Sequence, residues 1–261
     1  MNPILLTVII LSSIGLLSGL ILSIAAIVMA VKRDETADMI EQILPGANCG
    51  SCGFSGCSGY AAALAKGETD NTSLCSPGGA AVASAIAEAL GLENIGFVEK
   101  HAVVRCRGNS ENTQDAYEYD GLPSCAAASR LFGGAGACRY GCIGLGDCVG
   151  ACDFGAIKIE NSLAVVDTDK CGGCGKCAKA CPKGVIEIVP SAEAFTVRCV
   201  SHDKGALVRK ICKAGCIGCS MCVRACEHGA VSISDFCAQI DPEKCIGCGK
   251  CVVVCPQKCI N

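Results

Sequence analysis

No tryptophan occurs in this 261-residue sequence, and aromatic residues make up only 4% of it. A chain of this length ordinarily buries large aliphatic and aromatic side chains, so something other than ring packing must organise much of the interior. Basic residues are not in excess: the formal net charge is −3, which gives no footing for a nucleic-acid partner. The three histidines, His101, His202 and His228, are scattered and form no His-x-x-His or Glu-x-x-His pattern. They read as surface or core residues rather than ligands. P-loops and nucleophile elbows are absent, and the glycine-rich stretch Gly133–Cys138 is not a G-x-G-x-x-G and leads into a cysteine motif. Hydride transfer and nucleophilic catalysis therefore have no site here.

Charge is also missing from Met1 to Val31. As a helix, the apolar run from Ile4 to Val31 would be about 42 Å long, against a hydrocarbon core of about 30 Å. A cleaved signal peptide would need a basic start and a shorter apolar region, so the segment reads as a retained single-pass anchor. Lys32 and Arg33 follow it directly, and the positive-inside rule then places the remaining chain in the cytoplasm. Gly15, Gly19 and Ser23 recur every four residues, which suits close approach of another membrane helix, although such residues are also ordinary in membrane spans.

What the chain has in abundance is cysteine, 26 residues. Disulfide scaffolds are small, secreted and irregularly spaced. Most cysteines here fall in C-x-x-C runs, whose thiolates converge on one metal centre and bridge poorly to each other. The first set is Cys49, Cys52 and Cys57, completed by Cys75. Zinc is a rival for four thiolates, but its ribbons show two separated knuckles. Three cysteines within nine residues plus a distant fourth is the spacing of a cubane site. Residues 34–44 read as an amphipathic helix ended by Pro45, and apolar helices are expected over 60–65 and 80–90.

The carboxyl-terminal half repeats itself without a gap. Cys125, Cys138, Cys142, Cys148, Cys152, Cys171, Cys174, Cys177 and Cys181 each recur 74 positions later, the last as Cys255. A constant offset marks a duplicated module. The runs Cys171-x2-Cys174-x2-Cys177-x3-Cys181-Pro and Cys245-x2-Cys248-x2-Cys251-x3-Cys255-Pro follow the bacterial ferredoxin pattern, in which the fourth cysteine serves the neighbouring cluster. The swap predicts three sets: Cys216, Cys219, Cys222 and Cys255; Cys245, Cys248, Cys251 and Cys226; Cys171, Cys174, Cys177 and Cys152. One site departs from the pattern, because Leu145 stands where the repeat has Cys219. Cys138 is expected to join Cys142, Cys148 and Cys181 there; otherwise a three-iron cluster results. Cys106, Cys125, Cys199, Cys212, Cys237 and Cys259 are left over. Packing suits Cys237 and Cys259, and one extra cluster from spare thiols remains open. The reading is thus five [4Fe-4S] clusters in an α+β chain: an anchor (1–31), a small cluster domain (32–92), a linker (93–124) and two tandem double-cluster ferredoxin modules (125–190 and 191–261). Short strands are expected over 156–159, 185–189, 231–233 and 238–240.

The anchor, the NCGSCGFSGC run with Cys75, the GCIGLGDC core and the two Cys-Pro motifs resemble the RnfB family of the Rnf electron-transport complexes, over essentially the whole chain. The first domain also resembles the cluster domain of corrinoid iron–sulfur proteins. The Rnf resemblance implies a membrane complex that couples electron transfer between ferredoxin and NAD to sodium or proton movement. It implies soluble ferredoxin and the other subunits as partners, with flavin and NAD held by those subunits. Asp153 and Glu227 depart from the proline many ferredoxins carry after the fourth cysteine. A polyferredoxin wire of another membrane redox enzyme, or a reductase of a redox-sensing regulator, would use the same spacing.

Overall fold

The computed structural model describes residues 3–28, 34–93, 96–191 and 195–261; Lys32 and Arg33, on which the orientation expectation rests, lie outside them. Helix α1 (Pro3–Val28) is long and apolar enough to cross a membrane. Its leucines and isoleucines from Ile4 to Ile24 are exposed, Leu16 at 77%, so among the described residues no protein core covers them.

Three helices build the first domain: α2 (Glu35–Ile43), α3 (Cys57–Ala65) and α4 (Gly79–Leu90). Asp34 caps α2 by accepting from Thr36 N at 3.0 Å, and Glu35 and Asp38 in its first turn suit the positive end of the helix dipole. Leu44, extended ahead of Pro45, ends the helix. Ile40, Leu44, Tyr60, Leu64 and Ile86 pack into an apolar core, with the Phe54 and Tyr60 rings 5.4 Å apart.

The 74-residue offset holds in three dimensions. Strands β2 (Ile157–Glu160) and β3 (Leu163–Val166) pair from Ile157↔Val166 inward, and β5 (Val231–Ser234) and β6 (Cys237–Ile240) pair from Val231↔Ile240. Both hairpins close on two residues with positive φ, Asn161-Ser162 and Asp235-Phe236, the turn whose twist matches that of the strands. Short helices follow the cysteine runs: α6 (Asp147–Gly150) and α7 (Lys176–Ala180) in the first repeat, α9 (Met221–Ala225) and α10 (Lys250–Val253) in the second.

Residues 93–124, expected to be a linker, contribute to the first repeat. Strand β1 (Lys100–Val104) pairs antiparallel with β4 (Ile186–Pro190), Lys100 facing Pro190. Ala102 and Val104 are 1% exposed and pack against Cys148, Cys177 and Val185. The second repeat reduces this ladder to one bridge, Val197↔Ile260.

A steric requirement also recurs at the offset. Gly144 and Gly218 have φ of +80° and +63°. A Cβ at Gly144 would lie 2.4 Å from Ser162 O, and one at Gly218 2.7 Å from Phe236 O, so each glycine lets its cysteine loop pass over a hairpin turn. Gly144→Ala is expected to cost about 2 kcal/mol or more, from the left-handed backbone and the clash together. Anaerobic thermal denaturation checks this; an unchanged melting temperature would contradict the steric account.

Candidate metal centres

The first thiol set is assembled by the loop before α3. Asn48, in a left-handed conformation, accepts from Cys57 N through Oδ1 at 2.8 Å and so closes the loop that carries Cys49 and Cys52. Gly56 leaves the room this clamp needs, since a Cβ there would sit 2.7 Å from the same oxygen. Burial pushes the Cys75 thiol up to about 11, and nearby Cys57, Cys49 and Cys52 add to the rise. The four expected residues are therefore gathered.

In the second repeat, one cavity is lined by Cys216, Cys219, Cys222 and Cys255, with Cys259 also in its wall and 3.6 Å from the Cys255 sulfur, and another by Cys226, Cys245, Cys248 and Cys251. In each, the fourth cysteine of one run reaches the cavity of the other. Short helices explain the reach: α9 ends at Cys226 and α10 carries the chain toward Cys255, each turning the last thiol away from the loop that precedes it. In the first repeat, burial raises the Cys177 thiol to about 11, and Cys171, Cys174 and Cys152 raise it further.

The remaining set differs from expectation in one member. Cys142, Cys148 and Cys181 share a cavity with Cys125, while Cys138 does not line it. Burial drives Cys148 up to about 12, with Cys142, Cys125 and Cys181 contributing. Cys125 opens helix α5 (Cys125–Ser129), whose start is pinned by Asp147. The carboxylate accepts from Cys125 N at 2.9 Å, Ala126 N at 2.9 Å and Ser124 Oγ at 3.0 Å. Partial burial opposes ionisation, yet these bonds hold the carboxyl below its ordinary range. Asp147 stands where the second repeat has Met221, two residues after the Leu145/Cys219 difference. The missing thiol and the acid that docks its substitute occur together. Asp147→Ala should release α5 and cost roughly 2 kcal/mol. Iron content should fall or a three-iron EPR signal appear; a variant with unaltered iron and EPR would separate Asp147 from the site.

Backbone N–H groups point at several sulfurs: Ala102 N to Cys171 at 3.3 Å, Ala156 N to Cys152 at 3.4 Å and Ala238 N to Cys216 at 3.4 Å. Such donors favour thiolate and tune a bound cluster. Asp153 and Glu227, which replace the usual proline, meet Lys176 and Lys250 at 2.5 Å. Each pair joins the end of one cysteine run to the helix of the other. Lys176 also donates to Ala47 O at 3.2 Å. Burial raises Cys174, and Cys49 acts on it as well, so the first domain's set adjoins that of the first repeat. Cys237 and Cys259, 3% and 2% exposed, fill the core beside Cys216 as packing residues do.

The donor sets fit an iron–sulfur cube. Every gathered side chain is a thiol, the soft donor such clusters take. A single tetrahedral zinc would draw sulfurs to about 3.8 Å of one another; among the described residues no three ligating side chains are grouped for one ion. A cube spreads its thiolates wider.

Comparison with known proteins agrees with this chemistry. The FeS family model, described as "Putative Fe-S cluster", matches residues 44–77, and the 4Fe-4S binding domain model matches residues 164–187 and 238–261. The B component of the Na(+)-translocating ferredoxin:NAD(+) oxidoreductase complex of Acetobacterium woodii is 43% identical, covering 100% of this chain and 78% of that protein. The B component of the proton-translocating ferredoxin:NAD(+) oxidoreductase complex of Clostridium ljungdahlii is 41% identical over 83% of this chain and 76% of its own. The B component of the ion-translocating oxidoreductase complex of Methanosarcina acetivorans is 40% identical over 96% and 95%.

Proposed function

Because this chain belongs to the RnfB family, the B components of ion-translocating ferredoxin:NAD(+) oxidoreductase (Rnf) complexes, we propose that it is the iron–sulfur subunit through which such a complex exchanges electrons with soluble ferredoxin. The observation that supports this is the grouping of thiols into five sets of four, each with at least one buried member. When bound, a cubane supplies one-electron transfer with little rearrangement.

The chain's own residues supply the frame. Cys49, Cys52, Cys57 and Cys75 hold one cluster in the helical domain. Cys171, Cys174, Cys177 and Cys152 hold a second, and Cys142, Cys148, Cys181 and Cys125 a third. Cys216, Cys219, Cys222 and Cys255, then Cys245, Cys248, Cys251 and Cys226, hold the two of the second repeat. This is a helical cluster domain followed by two double-cluster modules. Lys176 ties the first set to the second by bonding both Asp153 and Ala47. Helix α1 anchors the chain in the cell membrane beside the other subunits, and Lys32 and Arg33 keep the thiol-bearing domains on the reducing, cytoplasmic side.

Anaerobic purification in detergent tests this. The expected product is brown, holds equal iron and acid-labile sulfide, and is reduced by dithionite-reduced ferredoxin on mixing. A preparation holding zinc without iron would defeat the reading. Iron-loaded protein that ferredoxin cannot reduce, co-purifying with hydrogenase or formate dehydrogenase subunits, would assign the wire to a different machine.

A further inference from the structure

Four cysteines outside those five sets meet at the junction of the two repeats. Cys106, Cys138, Cys199 and Cys212 line one cavity, whose wall also includes Cys142 of the first repeat's set. Cys106 and Cys199 are 8% exposed and Cys212 9%. The Cys106 sulfur accepts from Gly108 N at 3.3 Å and Cys142 N at 3.5 Å. A Cβ on Gly108 would lie 3.5 Å from the Cys106 sulfur and 3.9 Å from that of Cys212, so the two thiols flank one glycine. Cys199 and Cys212 lie close enough for their charges to act on Cys138.

We propose that Cys106, Cys138, Cys199 and Cys212 hold a sixth cubane cluster, seated between the two repeats. This rests on the iron–sulfur reading above and extends it. The donor set is again all thiol. Three arginines line the same cavity, Arg105, Arg107 and Arg198, and offset the negative charge that four thiolates give a cube. They also lock the site's walls together. Arg105 Nε donates to Val197 O at 3.3 Å, Arg198 Nε to Val104 O, and Arg107 to Lys258 O. Thr113 pairs with Cys212 in a β-bridge and its hydroxyl donates to Ile211 O at 2.8 Å.

Repeat symmetry explains the membership. Cys138 and Cys212 occupy equivalent positions, as do Cys125 and Cys199. Leu145 diverts Cys125 to the Cys142 set, and Cys106, from upstream of the repeat, takes the place Cys125 leaves. The site adjoins its neighbours on both sides: Cys142 N bonds Cys106, and Cys237 donates to Cys199 O at 3.3 Å beside Cys216. A cluster here fills the interval between the sets of the first repeat and those of the second.

Full-length protein purified anaerobically is the material for the test, with iron and sulfide counted and Mössbauer and EPR spectra recorded. Six cubes give about 24 irons per chain and five give about 20. Cys106→Ser and Cys212→Ser, neither in the other five sets, should each remove about four irons and the matching fraction of the Mössbauer area. A parent near 20 irons, or variants that keep the parent's count, would overturn the sixth site, as would one zinc per chain lost in both variants. Should a variant lose far more than four irons by failing to fold, the parent's count decides. A parent with no iron defeats the underlying reading and is thereby told apart.

Discussion

Stripping the iron under anaerobic conditions should unfold both cysteine-rich repeats and leave the helical domain at residues 35–90 folded. The reason lies in how few aliphatic side chains fill the cores, most plainly in the second repeat; in the first, three of nine buried residues are cysteines, Cys106, Cys148 and Cys177. Of the ten buried residues in the second repeat's core, six are cysteines (Cys199, Cys216, Cys222, Cys237, Cys251 and Cys259), and the rest are Val197, Val231, Ala238 and Ile260. Two-stranded hairpins such as β5–β6 are marginal by themselves, and so few aliphatic side chains cannot offset the entropy of ordering the chain. The free energy of binding the cluster is then the free energy of folding. The helical domain is built otherwise. Ile40, Leu44, Tyr60, Leu64 and Ile86 pack with a single buried cysteine, Cys75, while Cys52 and Cys57 are only partly buried against them. Hydrogen exchange read by mass spectrometry distinguishes the two parts. Amides of β2–β3 and β5–β6 should lose protection on iron removal while those of α2–α4 keep most of theirs. Persisting protection in both hairpins would show that the repeats fold on packing alone.

Cys125→Ala is expected to cost the first repeat one cluster, and adding Leu145→Cys should restore it. Without Cys125, its cavity keeps only Cys142, Cys148 and Cys181. The set should then empty, losing about four irons, or convert to a three-iron cluster with its own EPR signal. Leu145 is 36% exposed and occupies the place of Cys219 in the second repeat. Its loop can supply a thiol, because Gly144 and Gly146 keep the tight backbone path, with φ of +80° and +88°. The double variant should therefore return to the parent's iron content and EPR spectrum. Iron unchanged in Cys125→Ala would remove that residue from the set, and no recovery in the double variant would mean that the two repeats route this loop differently.

Much of this arrangement could be read from residue order, where the signal was local. Pro45 and the amphipathic pattern bounded α2, and β2, β4, β5 and β6 lie within a residue of the expected spans, whereas β3 (Leu163–Val166) was not expected. Cysteine spacing indicated which thiols travel together because C-x2-C-x2-C is a property of one loop. Contacts made by distant segments were not legible. Strand β1 is five residues, KHAVV, in a mostly polar stretch, and its partner lies 86 positions on at Ile186–Pro190. Cys138 was the natural candidate beside Leu145 because it is near in sequence. The thiol that shares the cavity of Cys142, Cys148 and Cys181 is Cys125, further upstream, whose backbone N–H is held by Asp147. One signal could have pointed there: where the second repeat has Cys219 and Met221, the first has Leu145 and Asp147. A new carboxylate two residues from a lost ligand asks for backbone N–H donors, and Ser124 ahead of a short apolar run offers a helix start.

The pairing of β1 with β4 also decides where this protein can be cut. A recombinant piece begun at Cys125, the first cysteine of the repeat, would discard the strand that covers the edge of β4 and bare the Ile186 and Ile188 backbone to solvent. Open strand edges of that kind recruit other chains, so the truncated piece should self-associate, whereas one begun ahead of Lys100 carries its own cover.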